Sequence, residues 1–369
     1  MRILLLSEIS SSHTLKWAIS LADNSIDIMI LGLSSFNSNL YNSYSNIQIE
    51  NLGLNKNIVR KKDGHLSKLK YLKTIFKVKK IIKEFKPDIV HAHYASSYGI
   101  LGALSGFKPF ILSVWGSDIF DFPNKSPLHK KIVKYNLRKA DKILSTSNIM
   151  ALEINKYTDK PVIVTPFGID TNIFNSMKGD SLFKENDIVI GTVKTLDEKY
   201  GIVYLIKAFK ILVDKYPKLP LKLLIVGKGS QENSLKDLVS KLDISDKTIF
   251  TGGVDYADVP KYHNMLSVSV SVSNSESFGV AIIEASACEK PVIVSNAGGL
   301  PEVVQDGVTG IIVPPRDEVN TAKAIERLIF DKKLLSEMGK QGRQRVIKYY
   351  NWDNNIKQMI NIYKDSLQI

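Results

Sequence analysis

Ser273-Asn-Ser-Glu276-Ser277-Phe278-Gly279-Val280-Ala-Ile-Ile-Glu284-Ala285, followed by Gly298-Gly299-Leu-Pro301-Glu302, is the segment from which the rest of the chain can be read. Two carboxylates stand eight positions apart in it. Glu276 falls in a small-residue loop. Glu284 falls one or two turns into an apolar helix that opens at about Phe278 or Gly279. The alternating run Val268-Ser-Val-Ser-Val272 just before it predicts a strand. Strand, Ser/Gly loop and helix start together present free backbone N–H groups and a positive dipole end to an anion. An acid deeper in the helix cannot hold phosphate, but it can accept hydrogen bonds from a vicinal diol, as a nucleotide ribose offers. An ordinary βα unit with a solvated glutamate also fits, since acids near helix starts are common.

Outward from this segment, short β-branched runs alternate with longer helical patterns, which predicts parallel α/β sheets. The strand candidates are 2–7, 26–31, 88–93, 109–114, 142–146 and 162–165 in the first half, and 187–192, 221–226, 248–251, 268–272, 291–295 and 310–313 in the second. Each half reads as a doubly wound unit, with the crossing where Pro, Gly and polar residues cluster at about Pro166–Asp187. A dinucleotide site of Gly-x-Gly-x-x-Gly type is not supported. Glu8-Ile-Ser10-Ser11-Ser12-His13 follows the first strand without a glycine, and Gly227-Lys-Gly229 is followed by Glu232 where the third glycine should stand.

A length of 369 residues predicts two domains, and 44% hydrophobic residues are enough for two cores. The single cysteine, Cys288, excludes a disulfide framework and reads as a small buried residue. No apolar run approaches the ~20 residues that span a bilayer, and the first strand is too short for a signal peptide. The expectation is a cytoplasmic protein. Fifty basic against 37 acidic residues give a net charge of +13, which favours anionic partners. The excess concentrates at residues 60–86, where eleven lysines and arginines face only Asp63 and Glu84. Leu69, Leu72, Ile75, Phe76, Ile82 and Phe85 recur there near helical spacing, with Lys73, Lys77 and Lys80 on another face. Such a helix suits an anionic membrane surface, which would place the protein peripherally at the inner face of the membrane. It equally suits a core helix with a Lys-rich outer face. Nucleic acid is not expected, because neither aromatic interleaving nor a reader motif accompanies the charge.

The Glu276-to-Glu284 segment resembles the C-terminal signature of the retaining glycosyltransferases of family 4, the group 1 glycosyltransferases, whose pattern is Glu, seven residues, Glu in a Ser-x-x-Glu-x-Phe-Gly context. Pro291-Val-Ile-Val-Ser295, Asp306-Gly-Val-Thr-Gly310 and Val313-Pro-Pro315 follow in the family's order, and Thr165-Pro-Phe-Gly-Ile-Asp-Thr-Asn-Ile-Phe174 is similar to its interdomain crossing. The resemblance implies the GT-B architecture, two Rossmann-like doubly wound domains facing across a cleft. The N-terminal domain, 1–168, would bind acceptor, with a last helix at 352–369 packing back on it; the C-terminal domain, 169–351, would bind the nucleotide-sugar donor. No cofactor beyond that co-substrate is implied, and the sequence holds no Asp-x-Asp pair, which fits a metal-independent site.

Carried over residue by residue, the resemblance assigns the ribose hydroxyls to Glu284. It assigns the diphosphate or sugar to the amides around Ser277, Phe278, Gly279 and Val280, and the transferred sugar to Glu276. Gly227, Gly229 and Val254 resemble a backbone-lined base pocket. The family's usual Arg and Lys for phosphate are displaced in Gly191-Thr192-Val-Lys194-Thr-Leu-Asp-Glu-Lys199-Tyr200-Gly201, where Lys194 and Lys199 are the replacements. Lysine offers a point charge rather than a bidentate fork. On the N-terminal side Val114-Trp115-Gly116-Ser117-Asp118 carries Asp118 of the family's His-Gly-x-Asp pattern but has Trp115 in place of the histidine. Glu276, Asp118 and His93 are the catalytic candidates, His93, ending the strand His91-Ala-His93, through a sugar contact, and Ser12, His13 and Trp115 are the candidates toward the acceptor. His65, His129 and His263 lie in no motif and read as surface or packing residues. The expected activity is transfer of a sugar, from a UDP-sugar by preference, to a hydroxyl of a lipid-linked saccharide or a cell-surface polysaccharide or glycolipid precursor. A UDP-sugar epimerase and a non-catalytic nucleotide-sugar-binding scaffold are the alternatives.

Overall fold

The computed structural model describes residues 1–35, 39–54, 74–177 and 179–368. Most of the basic segment expected at 60–86, His65 included, lies outside them. The chain divides into two compact units, Met1–Pro166 with Asn355–Ile369, and Phe167–Asn354.

The first unit is built on seven strands: β1 Arg2–Leu6, β2 Asp27–Gly32, β3 Ile47–Asn51, β4 Ile89–His93, β5 Phe110–Val114, β6 Lys142–Ser145 and β7 Val162–Val164. They pair in parallel in the order β3-β2-β1-β4-β5-β6-β7. Helices cover both faces of such a sheet, so its central strands are apolar throughout; every residue of β4 and β5 is buried. Leu4, Val90, Leu112 and Ile143 pack with the helical Leu101, Val133 and Leu137 in one core. Edge strand β3 was not expected: in Ile47-Gln-Ile-Glu-Asn51 only Ile47 is buried, so it lacks the apolar run that marks the others. Strand order reverses direction between β1 and β4, and the crevice at their C-terminal ends is where ligands settle in open α/β sheets. The last helix, Trp352–Leu367, belongs largely to this unit. Its Gln358 amide donates to the Val164 carbonyl at 3.0 Å.

Helix Ile75–Phe85 buries Val78, Ile81 and Phe85. Phe76, expected in the apolar stripe, is instead 78% exposed. Counted from Val78 it points to the opposite side of the helix, because two residues turn by about 200°.

The second unit carries β8 Ile188–Val193, β9 Leu221–Val226, β10 Thr248–Gly252, β11 Val268–Ser271, β12 Val292–Ser295 and β13 Gly310–Val313. These too are parallel, in the order β10-β9-β8-β11-β12-β13. Helix Ile202–Lys215 buries Ile202, Leu205, Ile206, Phe209 and Leu212, a spacing that turns one apolar stripe to the sheet. Here the order reverses between β8 and β11. Cys288 is buried, and burial pushes its thiol up to about 12, which makes it inert packing.

Candidate active site

The loops leaving β8 and β11 meet at the switch point of the second unit. Lys194 directly follows β8, and Glu276 lies in the loop after β11. The Lys194 ammonium donates to Glu276 Oε2 at 2.5 Å, with the two side chains only 13% and 9% exposed. A glycine backs each partner. Gly227 (φ +137°) lies so close that a Cβ would stand 1.9 Å from the Lys194 carbonyl oxygen, and Gly298 (φ +54°) would place one 1.8 Å from that of Glu276. The adjacent Gly299 N–H donates to the same Glu276 carbonyl at 3.0 Å. Both charged residues are therefore fixed by their main chain, and no side chain larger than hydrogen fits behind them. Gly227 and Gly229, the base-pocket candidates, pack tightly in their loop: a Cβ on Gly229 would meet the Leu196 carbonyl at 2.5 Å. Val254 is partly buried against Leu224, Val226 and Leu266.

Lys199, the second expected cation, is exposed in the same loop. Its carbonyl accepts from Asn274 N–H at 2.7 Å, tying the β8 loop to the β11 loop. The ammonium groups of Lys194 and Lys199 lie 4.3 and 4.8 Å from the centroid of the Tyr200 ring. This aromatic residue was not singled out from sequence; its ring carries negative charge on its faces and draws both cations into one neighbourhood. Both ammonium groups thus lie beside one loop.

Helix Val280–Ala287 starts after Gly279 (φ +112°), whose carbonyl accepts from Ile282 N–H at 3.0 Å and Ile283 N–H at 3.3 Å, so the amides with no helical carbonyl to reach are those at the very start, Val280 and Ala281. Phe278 is 2% exposed, with its ring against Phe167 and Tyr350, so only its backbone is available to a ligand. Ser277 and Val280 are half-buried on either side of this entry. Glu284 is 6% exposed, and burial together with its charge raises the pKa of the Tyr256 hydroxyl beside it. His263 Nε2 lies 3.5 Å from Glu284 Oε2, and its side chain is fully buried. His263 thus stands beside a site residue, which its sequence surroundings gave no reason to expect. His129 packs as expected, its Nδ1 2.7 Å from Ser126 Oγ and its ring against Phe122.

A second cluster forms at the β1/β4 switch point of the first unit. Ser7 Oγ lies 2.7 Å from Thr14 Oγ1 and 2.9 Å from His93 Nδ1. The His93 ring lies 4.2 Å, centroid to centroid, beneath Trp115, and His13 meets the edge of Trp115 at 5.7 Å. His91 Nδ1 is 2.8 Å from the Tyr363 hydroxyl of the last helix, and its Nε2 is 2.8 Å from Ser113 Oγ. Burial lowers the His91 pKa to about 3. Burial, then His91 and His13, holds His93 well below its ordinary value, so both rings are neutral near pH 7. Ser12 is exposed at the start of helix Ser12–Asp23.

Asp118 is held inside its own loop. It is 1% exposed, and its carboxylate accepts Ala95 N–H at 2.6 Å, Gly116 N–H at 2.8 Å and Trp115 N–H at 3.2 Å. Burial raises its pKa to about 6 against these donors. The Asp118 carboxylate thereby clamps the loop that carries Trp115. Among the described residues, no group of three or more His, Cys, Asp or Glu is placed to hold a metal ion.

Two doubly wound parallel sheets, with a lysine–glutamate pair at one switch point and a histidine–tryptophan cluster at the other, are the GT-B architecture of glycosyltransferases. The structure of Anabaena HepE in complex with UDP and glucose superposes with a TM-score of 0.80 over 99% of this chain and 100% of that one, at 19% identity. In sequence, the Glycosyl transferases group 1 profile matches residues 174–345 and the Glycosyl transferase 4-like profile residues 2–147. The chain belongs to the group 1 glycosyltransferases. An uncharacterized glycosyltransferase of Methanocaldococcus jannaschii is 27% identical over 84% of this chain and 86% of its own length. A capsular polysaccharide biosynthesis glycosyltransferase of Staphylococcus aureus is 32% identical over 67% of this chain and 63% of its own.

Proposed function

We propose that this glycosyltransferase moves a sugar from a UDP-sugar to a hydroxyl of a lipid-linked saccharide or a cell-surface polysaccharide or glycolipid precursor, with retention at the anomeric carbon and without a metal. The observation that carries the reading is the Lys194–Glu276 contact at the β8/β11 switch point. It pairs a cation suited to the diphosphate with a carboxylate suited to the sugar hydroxyls. Lys194 and Lys199, with the amides at Gly279 and Val280, stabilise the departing diphosphate. Glu284 accepts the ribose diol. Binding exchanges the Lys194–Glu276 bond for Lys194–phosphate and Glu276–sugar bonds, so neither buried charge is left unpaired.

Retention follows from front-face substitution. The bond from the anomeric carbon to the phosphate oxygen breaks, the bond to the acceptor oxygen forms on the same face, and the acceptor proton passes to the departing phosphate. The protein then supplies orientation and charge stabilisation rather than a nucleophile. In the first unit, neutral His93 and the Trp115 ring, with Ser12 and His13 at the rim, are the contacts for saccharide. Uridine is supported by the structural likeness to a protein bound to UDP, and a polysaccharide or glycolipid precursor by the capsular relative. Exposed Phe76 beside Lys79, Lys80 and Lys83 supports contact with an anionic membrane surface. Incubating the protein with UDP-sugars and saccharide acceptors in EDTA, and reading the product's anomeric configuration by NMR, tests the proposal. Inverted product, or isomerised donor with no acceptor consumed, would overturn it.

A further inference from the structure

We propose that His263 is the positioning residue for Glu284, donating from Nε2–H to the inner carboxylate oxygen so that the remaining lone pairs face the nucleotide ribose. The inference rests on the reading of Glu284 as the ribose residue and goes one step behind it.

His263 lies on helix Val259–Met265 with 0% exposure, and neither ring nitrogen has a hydrogen-bond partner. Leaving a buried polar group unsatisfied is costly, because its bonds to water are lost and not replaced. A phenylalanine or leucine would fill the same space without that cost, so simple packing does not explain a histidine here. The neighbouring acceptor is Glu284 Oε2 at 3.5 Å. That is outside good hydrogen-bond range, and an approach of about 0.5 Å closes it. Burial, then the charge of this carboxylate, raises the Tyr256 hydroxyl pKa, which places that hydroxyl beside Glu284 as well. Phe174 covers both residues, its ring 6.4 Å from that of His263 and 5.6 Å from that of Tyr256. Two donors and one aromatic lid thus surround the inner side of Glu284. A carboxylate has about four lone-pair sites. Filling the inner ones from His263 and Tyr256 leaves the outer ones fixed in direction, which is what a rigid vicinal diol requires. His263 touches no substrate; it acts through Glu284.

The test compares UDP with 2′,3′-dideoxy-UDP by calorimetry on the natural protein, His263→Phe and His263→Gln. The natural protein should prefer the ribose form by about tenfold or more, equivalent to about 1.4 kcal/mol. His263→Phe should abolish most of that preference and leave the dideoxy affinity unchanged, while His263→Gln, which still carries an N–H donor, should retain it. His263→Met, also unable to donate, replaces the Phe variant if that does not fold. A His263→Phe or His263→Met protein that keeps the full preference would overturn the inference and leave His263 as packing. No UDP binding, or no ribose preference in the natural protein, would instead overturn the reading of Glu284 itself.

Discussion

Lys194 and Glu276 hold each other at 2.5 Å from two loops that leave adjacent strands of one sheet, and both are nearly sealed from water. A buried ion pair contributes little net stability, because desolvation offsets most of the attraction, whereas removing one partner strands a charge. On the proposed reading the pair is a binding device at rest, with each member held by the other until ligand arrives.

The two members should therefore respond differently to substitution. Lys194→Ala removes a charge-assisted bond to the diphosphate and should weaken UDP binding by about 1.5–3 kcal/mol. Glu276→Gln frees the ammonium and should leave UDP binding equal or tighter while lowering sugar transfer by about a hundredfold or more. Calorimetry with UDP alongside single-turnover rates separates these outcomes. Weakened UDP binding by Glu276→Gln would contradict the exchange of partners.

Glycine 298 should tolerate no side chain. Gly298→Ala puts a methyl carbon 1.8 Å from the Glu276 carbonyl at a φ of +54°, so the loop must move. The expected result is a loss of about 1–3 kcal/mol in stability together with loss of transfer. Gly307→Ala is the control, since it also has positive φ but no atom within 4 Å of its Cβ. It should lose stability only modestly and keep its activity.

Much of this was legible beforehand. Strands other than β3 announce themselves by β-branched runs, Glu276 and Glu284 stand out by their places in a strand–loop–helix segment, and Lys194 and Lys199 are reached only through the family resemblance. What was missed depends on contacts distant in sequence. Nothing near Lys261-Tyr-His263-Asn connects it to Glu284, and only the packing of helix Val259–Met265 against helix Val280–Ala287 brings them together. Asp118 matched a motif position, yet a motif cannot reveal that three backbone N–H groups use its carboxylate. Phe76 was placed in an apolar stripe because an eleven-residue helix, Ile75–Phe85, offers several overlapping stripes, and only burial of Val78, Ile81 and Phe85 chooses one.

Acid should destabilise the first unit through His91 and His93. The folded-state pKa of His91 falls to about 3 by burial, from an ordinary 6.5, and that of His93 is also depressed. Below pH 6.5 the unfolded chain takes up protons that the native rings refuse. Stability is thus fully present above that pH and is lost as pH falls toward about 3, by up to about 1.4 kcal/mol per unit for each ring. Asp118 works in the opposite direction between pH 3.8 and about 6, where its raised pKa favours the native state at the acid end, but it offsets only one of the two rings. Denaturant melts at pH 7 and pH 5 should show the loss, and His91→Asn should lessen the slope. A slope unchanged by His91→Asn would contradict the neutral, buried assignment.

Trp115 should matter to acceptor and not to donor. Trp115→Ala removes the ring stacked on His93 at 4.2 Å. The acceptor KM should rise about tenfold, as expected for losing an aromatic contact of about 1.5 kcal/mol, with UDP affinity unchanged. Steady-state kinetics at saturating donor reads this directly.

The central claim, that the second unit is a metal-free site for a uridine diphosphate donor, is tested most directly by melting the protein with UDP, GDP, ADP and CDP in EDTA, beside Glu284→Ala. UDP at about a hundred times its Kd should stabilise the natural protein by about 2.7 kcal/mol, the other diphosphates should do far less, and Glu284→Ala should lose the effect. A melt indifferent to UDP, or a UDP shift that survives in Glu284→Ala, would contradict it.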